Sequence, residues 1–495
     1  MTYTSPTTPM KHQTEALRRI RERPRSPSPD DVFALLMEMG TGKSKVVVDE
    51  WQNRVAGGDV RDLLIVAPAG SYRNWTEDKS DEQPSELRAH LDPDLYDDAL
   101  RATWQSGSPA ALKRVGDLLR AKNGRPRVLA VNVEALSTVE AARTACGMFL
   151  RSGRAMMVVD ESTVIKSYKA KRSKNTVDLG RMAAARRILT GMVAPRSPLD
   201  LFMQFNFLDW RIIGLRNFFA FRNRYAIVKK QDFGGRMVDI VVGFRNVQEL
   251  QAKIAPYSYR VTKEECLDLE PKTYSVRDVP LTKEQVRMYK EMRDYATAEI
   301  AASGTFVTAQ AVISQLLRLH QIVCGHTKDE NGSVLDVPSN RVRAVVDLLD
   351  EHDGKAIIWT TYDHELRKLM HGIGEEFGPQ SVVGFWGGNR KERAEGERRF
   401  LSDPNCRYMV ATPAAGGRGN TWNVANLVIY AANSYDLELR SQSEDRCHRR
   451  GQTRKVTYVD LVSRGTVDER IIKALRKKID IASMINGDNY REWLI

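Results

Sequence analysis

Apolar positions along this chain fall into short runs that alternate with stretches of helical period. Up to about residue 210 the runs are Val32–Leu36, Leu63–Ala67, Val128–Val131, Met156–Val159 and Arg187–Thr190. Each is too short for a buried helix, is rich in strand-forming residues, and runs into a loop carrying Gly, Ser or Asp, so each reads as a strand. Lys45–Val55 between the first two reads as a helix. Strands separated by helices pair in parallel and build an open α/β sheet, whose ligands bind beyond the C-terminal strand ends.

From about 210 to 340 the texture changes. An aromatic and basic stretch, Phe218–Tyr225, leads to helical patterns at Lys283–Ile300 and Gln310–Ile322, and strand signals are few, with Thr273–Val279 the clearest. The alternation returns at Ala356–Thr360, Ser381–Phe385, Cys406–Ala411, Leu427–Ala431 and Val456–Leu461. The predicted layout is α/β, a helical middle, and α/β again. Arg21–Asp31, with its Ser-Pro-Ser-Pro, reads as a loop between a first helix and the first strand.

Composition narrows the class. At 495 residues the chain exceeds one hydrophobic core and predicts two to four domains of roughly 100–200 residues each. Hydrophobic content of 42% with 28% charged residues fits a water-soluble globular protein. The net charge of +13 points to a polyanionic partner, of which nucleic acid is the commonest. Five scattered cysteines without a C-x-x-C pair argue against a zinc ribbon or a disulfide framework and fit a reducing compartment. The polar N-terminus and the lack of any apolar run near ~20 residues predict a cytoplasmic, nucleoid-associated protein, with a bacterial or phage-infected cell suggested by its size. His12, His320 and His326 lack ligand spacing and read as structural.

The candidate chemistry begins at Met37-Glu-Met-Gly-Thr-Gly-Lys-Ser44, set between the first strand and its helix. Gly40 and Gly42 let the backbone wrap an anion at a helix N-terminus. Lys43 would reach the β- and γ-phosphates of a nucleotide and Ser44 would present its hydroxyl to Mg²⁺. The strict pattern has glycine where Met37 stands. A hydrolytic site also needs carboxylates, and Met156-Met-Val-Val-Asp160-Glu161 offers two at a later strand end. Asp160 would hold Mg²⁺ and Glu161 would polarise the attacking water.

Asp160-Glu-Ser-Thr-Val-Ile-Lys166 resembles motif II of the Swi/Snf family of DNA-translocating ATPases, in helicase superfamily two. Other stretches resemble that family's motifs in order: Leu63–Trp75 motif Ia, Arg187–Gly191 with Leu199–Leu208 motif III and its sequel, and Val261–Lys272 the close of the first lobe. Ala415–Asn420 looks like motif V, Gln442–Gln452 motif VI, and Gly465–Ile471 the helix start that follows it. The similarity runs from Gln13 to about Leu475.

The resemblance implies an α/β protein of two RecA-like parallel-sheet lobes with helical protrusions between the motifs. Lobe 1 is expected at 1–275 with a protrusion at about 210–255. Lobe 2 is expected at 276–495 with a protrusion at about 280–335 and a C-terminal helix at 466–486. ATP and Mg²⁺ would lie between the lobes, with Gln13, Gly40, Thr41, Gly42, Lys43 and Ser44 on the nucleotide. Gln442, Arg446 and Arg449 would join Lys43, Asp160 and Glu161 in catalysis, an arginine stabilising charge on the transferring phosphoryl group. Ser71, Arg73, Asn74, Lys166, Gly416, Gly417 and Arg418 are the candidates for backbone contacts to double-stranded DNA.

Superfamily-two phosphate loops do not require glycine at the position of Met37. Other departures stand out: Met192-Val193 where motif III has Thr-Pro, Ser162-Thr163 where motif II has Ala-His, and Tyr435-Asp436 where Trp-Asn is common. None removes a phosphate, metal or arginine position. The expected protein is a compact duplex-DNA translocase without accessory targeting modules. The rivals are a strand-separating DNA or RNA helicase, a motor subunit of a restriction or defence complex, and a DNA-binding scaffold that binds ATP without turning it over.

Overall fold

The computed structural model describes residues 3–78, 84–121, 124–192, 194, 197–232, 237–302, 309–329, 331–389, 391–417 and 420–486. The chain divides into two compact units, the first formed by 1–227 with 243–268 and the second mainly by 269–480. Val193 and Arg418 lie outside the described residues.

The first unit is built on β1 (Asp31–Met37), β2 (Asp62–Ala67), β3 (Leu100–Thr103), β4 (Arg127–Asn132), β5 (Ala155–Asp160) and β6 (Ala185–Leu189). Further along the chain come β7 (Ala226–Asp232), β8 (Met237–Phe244) and β9 (Ser258–Val261). Seven of these form one all-parallel sheet in the order β3-β4-β2-β5-β6-β1-β9. The near-continuous apolar run of β1 follows from helices covering both sheet faces. Val32, Ala34 and Leu36 face a layer containing Phe149 and Phe205. Phe33, Leu35 and Met37 face the opposite layer, with Val46, Val47 and Trp51 of the helix Lys43–Ala56.

The second unit carries β10 (Thr273–Asp278), then β11 (His326–Lys328) and β12 (Val334–Asp336). After them come β13 (Lys355–Trp359), β14 (Val382–Phe385), β15 (Tyr408–Ala411), β16 (Ala425–Tyr430) and β17 (Thr457–Val462). Six of these form a second all-parallel sheet, β10-β17-β16-β13-β15-β14. Ala356 and Ile358 of β13 pack with Val345, Leu366 and Leu369, while Ile357 and Trp359 pack with Phe400 and Trp422 on the other face. Two parallel-sheet α/β lobes are therefore present, as the alternation predicts.

The middle of the chain carries the expected helices, at Phe218–Tyr225, Val247–Ile254, Lys283–Ala302 and Ala309–Val323, and adds two small sheets to them. β7 and β8 pair as a two-stranded sheet, and β11 and β12 form another. Ile227, Val228, Val238, Ile240, Val241 and Val242 are strand formers, and the β7–β8 ribbon they build begins directly after the helix Phe218–Tyr225. Among the described residues, no helix is long and apolar enough to cross a membrane.

One buried charge network fixes the start of β1 against its neighbours. Arg187 of β6 donates through Nε to Glu50 on the helix Lys43–Ala56 at 2.9 Å and through Nη2 to Asp31 at 2.8 Å. Arg54 bridges the same two carboxylates, and Arg23 reaches Asp31 at 2.9 Å. Burial works to raise the Asp31 carboxyl, but Arg187, Arg54 and Arg23 outweigh it and hold it at about 2. Replacing Arg187 by leucine strands Glu50 without its closest partner, and loss of one member of a buried ion pair costs about 3–5 kcal/mol. Urea unfolding of Arg187→Leu should show a loss of that size in the first unit, and a midpoint equal to the parent's would remove this network from the account of the fold.

Candidate active site

The loops that carry the sequence motifs leave the C-terminal ends of strands in the same sheet. β1 runs into the phosphate loop, β2 into Pro68–Trp75, β5 into Asp160-Glu161, and β6 into Thr190-Gly191. In an open parallel sheet this edge is where ligands bind.

The phosphate loop is a left-handed turn closed by its own surroundings. Gly40 and Gly42 have φ of 83° and 84°, a backbone that side chains disfavour. A Cβ on Gly42 would lie 2.1 Å from Gln13 Nε2. That amide donates to the Thr41 carbonyl at 3.2 Å, and His12 Nε2 lies 2.8 Å from the same oxygen. Gln13 Oε1 meanwhile accepts from the Met10 N–H at 2.8 Å. From the other side, the Glu38 N–H bonds the Val261 carbonyl at 3.0 Å, and the Glu38 carboxylate accepts from the Lys263 N–H at 2.9 Å. Gly191 leans on the loop so closely that a Cβ there would sit 3.1 Å from the Met39 nitrogen. Lys43, at 8% exposure, donates to the carbonyls of Met37 at 2.9 Å and Glu38 at 3.2 Å. A lysine parked on two neutral carbonyls is available to a stronger, anionic acceptor.

Asp160 is the second half of this site. Its carboxylate accepts from Trp75 Nε1 at 3.1 Å and from the Glu161 N–H at 2.9 Å. Burial pushes its pKa above the ordinary value, opposed by the charge of Lys43 and by the Trp75 and Glu161 hydrogen bonds. A carboxylate that burial makes reluctant to ionise next to a hydroxyl-bearing phosphate loop fits a divalent cation, which favours the ionised form. Glu161 adopts φ 47° and ψ 58°, a left-handed backbone costing a non-glycine residue about 1–3 kcal/mol. Ser162, at the position of the family's alanine, donates to Gln204 Oε1 at 2.6 Å.

The expected DNA contacts spread over the same unit's surface. Ser71 and Asn74 are half-buried in the turn after β2, and Arg73 is exposed with Nε on Tyr72 Oη at 3.2 Å. Lys166 is half-buried after the turn Ser162–Ile165, whereas Lys169, Lys171 and Lys174 are exposed. Beside them a recess of about 400 Å³ is lined by Ser137, Thr138, Arg143, Lys171 and Asn175, among others.

In the second unit, Gly416 and Gly417 are required by close packing. A Cβ on Gly416 would lie 2.6 Å from Trp422, and one on Gly417 would lie 2.3 Å from the Pro413 carbonyl oxygen. Arg446 is 1% exposed and donates through Nη1 to the Asn420 carbonyl at 2.6 Å and through Nε to the Gln442 carbonyl at 2.9 Å. Its guanidinium thus ties the helix Leu437–Glu444 to the glycine loop. Gln442 is buried with it. The Arg449 side chain is half-buried and makes no hydrogen bond or ion pair among the described residues. A buried cluster on Glu444 has no counterpart in the motif spacing. Glu444 accepts from Arg440 at 2.7 Å, Tyr274 Oη at 2.8 Å and Lys272 at 3.2 Å. Residues so far apart in the chain carry no local signal; nor did Trp75, His12 or Gln204.

A phosphate loop, a strand-end Asp-Glu pair and two parallel-sheet lobes define a helicase-like P-loop ATPase. The family model described as SNF2-related domain matches residues 12–328, and the chain belongs to that family. The mouse "DNA annealing helicase and endonuclease ZRANB3" is 25% identical over 465 residues, covering 91% of this chain and 39% of its own. The Caenorhabditis elegans "SWI/SNF-related matrix-associated actin-dependent regulator of chromatin subfamily A-like protein 1 homolog" is 26% identical over 344 residues, 68% of this chain and 46% of its own. The chain therefore spans less than half the length of either relative. Among solved structures, "Sulfolobus solfataricus SWI2/SNF2 ATPase core in complex with dsDNA" aligns with a TM-score of 0.43 and 22% identity over 98% of this chain and 95% of that one.

The geometry of the phosphate loop generates a direct expectation. Gly42→Ala forces a Cβ into Gln13 in a left-handed backbone, so the affinity for a fluorescent ATP analogue should fall at least about tenfold, or about 1.4 kcal/mol. Titration of the parent and variant measures it, and equal affinities would contradict the placement of nucleotide at this loop.

Proposed function

We propose that the chain is a DNA-dependent ATPase that uses ATP and Mg²⁺ to move along double-stranded DNA. The observation that carries this reading is the convergence of Lys43 and the buried Asp160, whose charges act on one another, at the ligand-binding edge of one parallel sheet. Lys43 would exchange the Met37 and Glu38 carbonyls for the β- and γ-phosphates. Ser44 and Asp160 would hold the metal, whose bound form neutralises developing phosphate charge. Glu161 would orient water, and Gln13 with Gly40, Thr41 and Gly42 would seat the nucleotide. Arg449 is the better candidate for the charge-stabilising arginine, while Arg446 and Gln442 would set the loop that carries it.

Double-stranded DNA is the favoured activator. The net charge of +13 and the exposed lysines at 169, 171 and 174 support backbone contact without sequence reading. Ser71, Arg73, Asn74, Lys166, Gly416, Gly417 and Arg418 would share that role. The mouse relative is named an annealing helicase, so rewinding of open strands is the second reading.

In a steady-state assay, duplex DNA should raise the parent's ATP hydrolysis at least about tenfold, and Lys43→Ala should lose about 99% of it. Equal, negligible rates for both proteins would leave a DNA-binding scaffold. For movement itself, displacement of a triplex strand without unwinding of a fork is expected. Efficient fork unwinding would instead make the protein a strand-separating helicase.

A further inference from the structure

Glu161 holds an unfavourable backbone conformation at the centre of the proposed chemistry, with φ 47° and ψ 58°. A left-handed residue with a side chain persists where its surroundings over-determine it. Two backbone bonds act locally: the Glu161 N–H donates to the Asp160 carboxylate at 2.9 Å, and the Glu161 carbonyl accepts from the Val164 N–H at 3.0 Å. Neither reaches beyond the turn. Two side-chain bonds tie this turn to distant parts of the unit: Trp75 Nε1 donates to the Asp160 carboxylate at 3.1 Å, and the hydroxyl of the next residue, Ser162, donates to Gln204 Oε1 at 2.6 Å.

Ser162 and Gln204 are completely buried, at 0% exposure, so the bond between them has no water to replace it. Its direction is fixed by chemistry. Gln204 Nε2 donates to the Asp200 carbonyl at 2.9 Å, one turn back on its own helix. The amide oxygen is thereby left facing Ser162, and only the serine can be the donor. Gln204 belongs to the helix Leu201–Ile213, which follows the Thr190-Gly191 turn, and Gly191 itself packs against the phosphate-loop backbone at Met39. The resembled motif has alanine at position 162, which offers no hydroxyl. The bond is thus a property of this chain's own pair of residues.

We propose that Gln204 is a positioning residue for ATP hydrolysis, acting through Ser162 to hold the Asp160–Glu161 turn in the left-handed geometry that aims the Glu161 carboxylate. The proposal rests on the reading of Glu161 as the residue that orients the attacking water. Gln204 is assigned no contact with nucleotide or metal. Its removal therefore leaves binding intact and lowers the chemical step.

The experiment uses the full chain with saturating duplex DNA and measures kcat and KM for ATP, together with the Kd of a fluorescent ATP analogue. Parent, Lys43→Ala, Ser162→Ala, Gln204→Leu and the Ser162→Ala/Gln204→Leu double variant are compared. Each single variant should lose about tenfold in kcat while the analogue's Kd stays within about twofold. Residues acting as one unit are non-additive, so the double variant should lose no more than the worse single one. The double variant removes both partners of the Ser162–Gln204 bond together and leaves only the Asp200 carbonyl short of one donor, so it reports on positioning even where a single variant unfolds. A kcat equal to the parent's in the double variant overturns the proposal, as does a loss confined to KM and Kd or losses that multiply. A parent whose hydrolysis does not depend on Lys43 would instead remove the ATPase reading beneath it.

Discussion

Two opposite charges drawn out of water at one edge of a parallel sheet set the terms for the first unit. Lys43 is nearly buried on two carbonyls, and Asp160 is raised by burial and steadied by Trp75, by a backbone N–H and by the charge of Lys43. Groups of this kind are costly to bury unless their partners are fixed in advance. The strand order β5-β6-β1 supplies that fixing, because it brings the Asp160 and phosphate-loop strand ends to either side of the strand that carries Thr190 and Gly191. The Arg187, Glu50 and Asp31 network ties the other end of β1 to the phosphate-loop helix.

The second unit solves a different problem with the same materials. Its segment from Arg440 to Arg449 holds Arg440 and Arg446 inside and leaves Arg449 half-buried. Arg440 is neutralised by Asp460 and Glu444, and Arg446 spends its donors on backbone carbonyls, one of them in the glycine loop. Gly416 and Gly417 are glycines because Trp422 and the Pro413 carbonyl leave no room for a Cβ. Gly416 and Gly417 are thereby fixed by packing, as the proposed contact to a DNA backbone requires.

The sequence revealed the sheet strands in the middle of each lobe because their two buried faces demand unbroken apolar runs, as in Leu63–Ala67 and Leu427–Ala431. The edge strands β3 and β9 were hidden. Leu100-Arg-Ala-Thr103 and Ser258-Tyr-Arg-Val261 are short, pair on one side only and tolerate polar residues. The β7–β8 pair was hidden by the aromatic and basic segment that precedes it. In the candidate site, the residues that would touch phosphate or metal were legible because their spacing along the chain is itself the chemistry. Their supports were not. Trp75 reaches Asp160 across 85 residues and Ser162 reaches Gln204 across 42, so no local pattern announces either. Arg446, which spacing offers as a charge donor, is buried and donates to the Asn420 and Gln442 carbonyls, contacts that spacing does not announce.

In the proposed function, duplex DNA switches on turnover at Lys43 and Asp160. This switching is tested most directly by the steady-state ATPase rate of the full chain with equal base concentrations of duplex, single-stranded and forked DNA and of RNA. The highest rate is expected with duplex DNA, with no further gain from a fork and little response to RNA. A rate that RNA or single-stranded DNA raises as far as duplex does, or that no polymer raises, would contradict the proposed function.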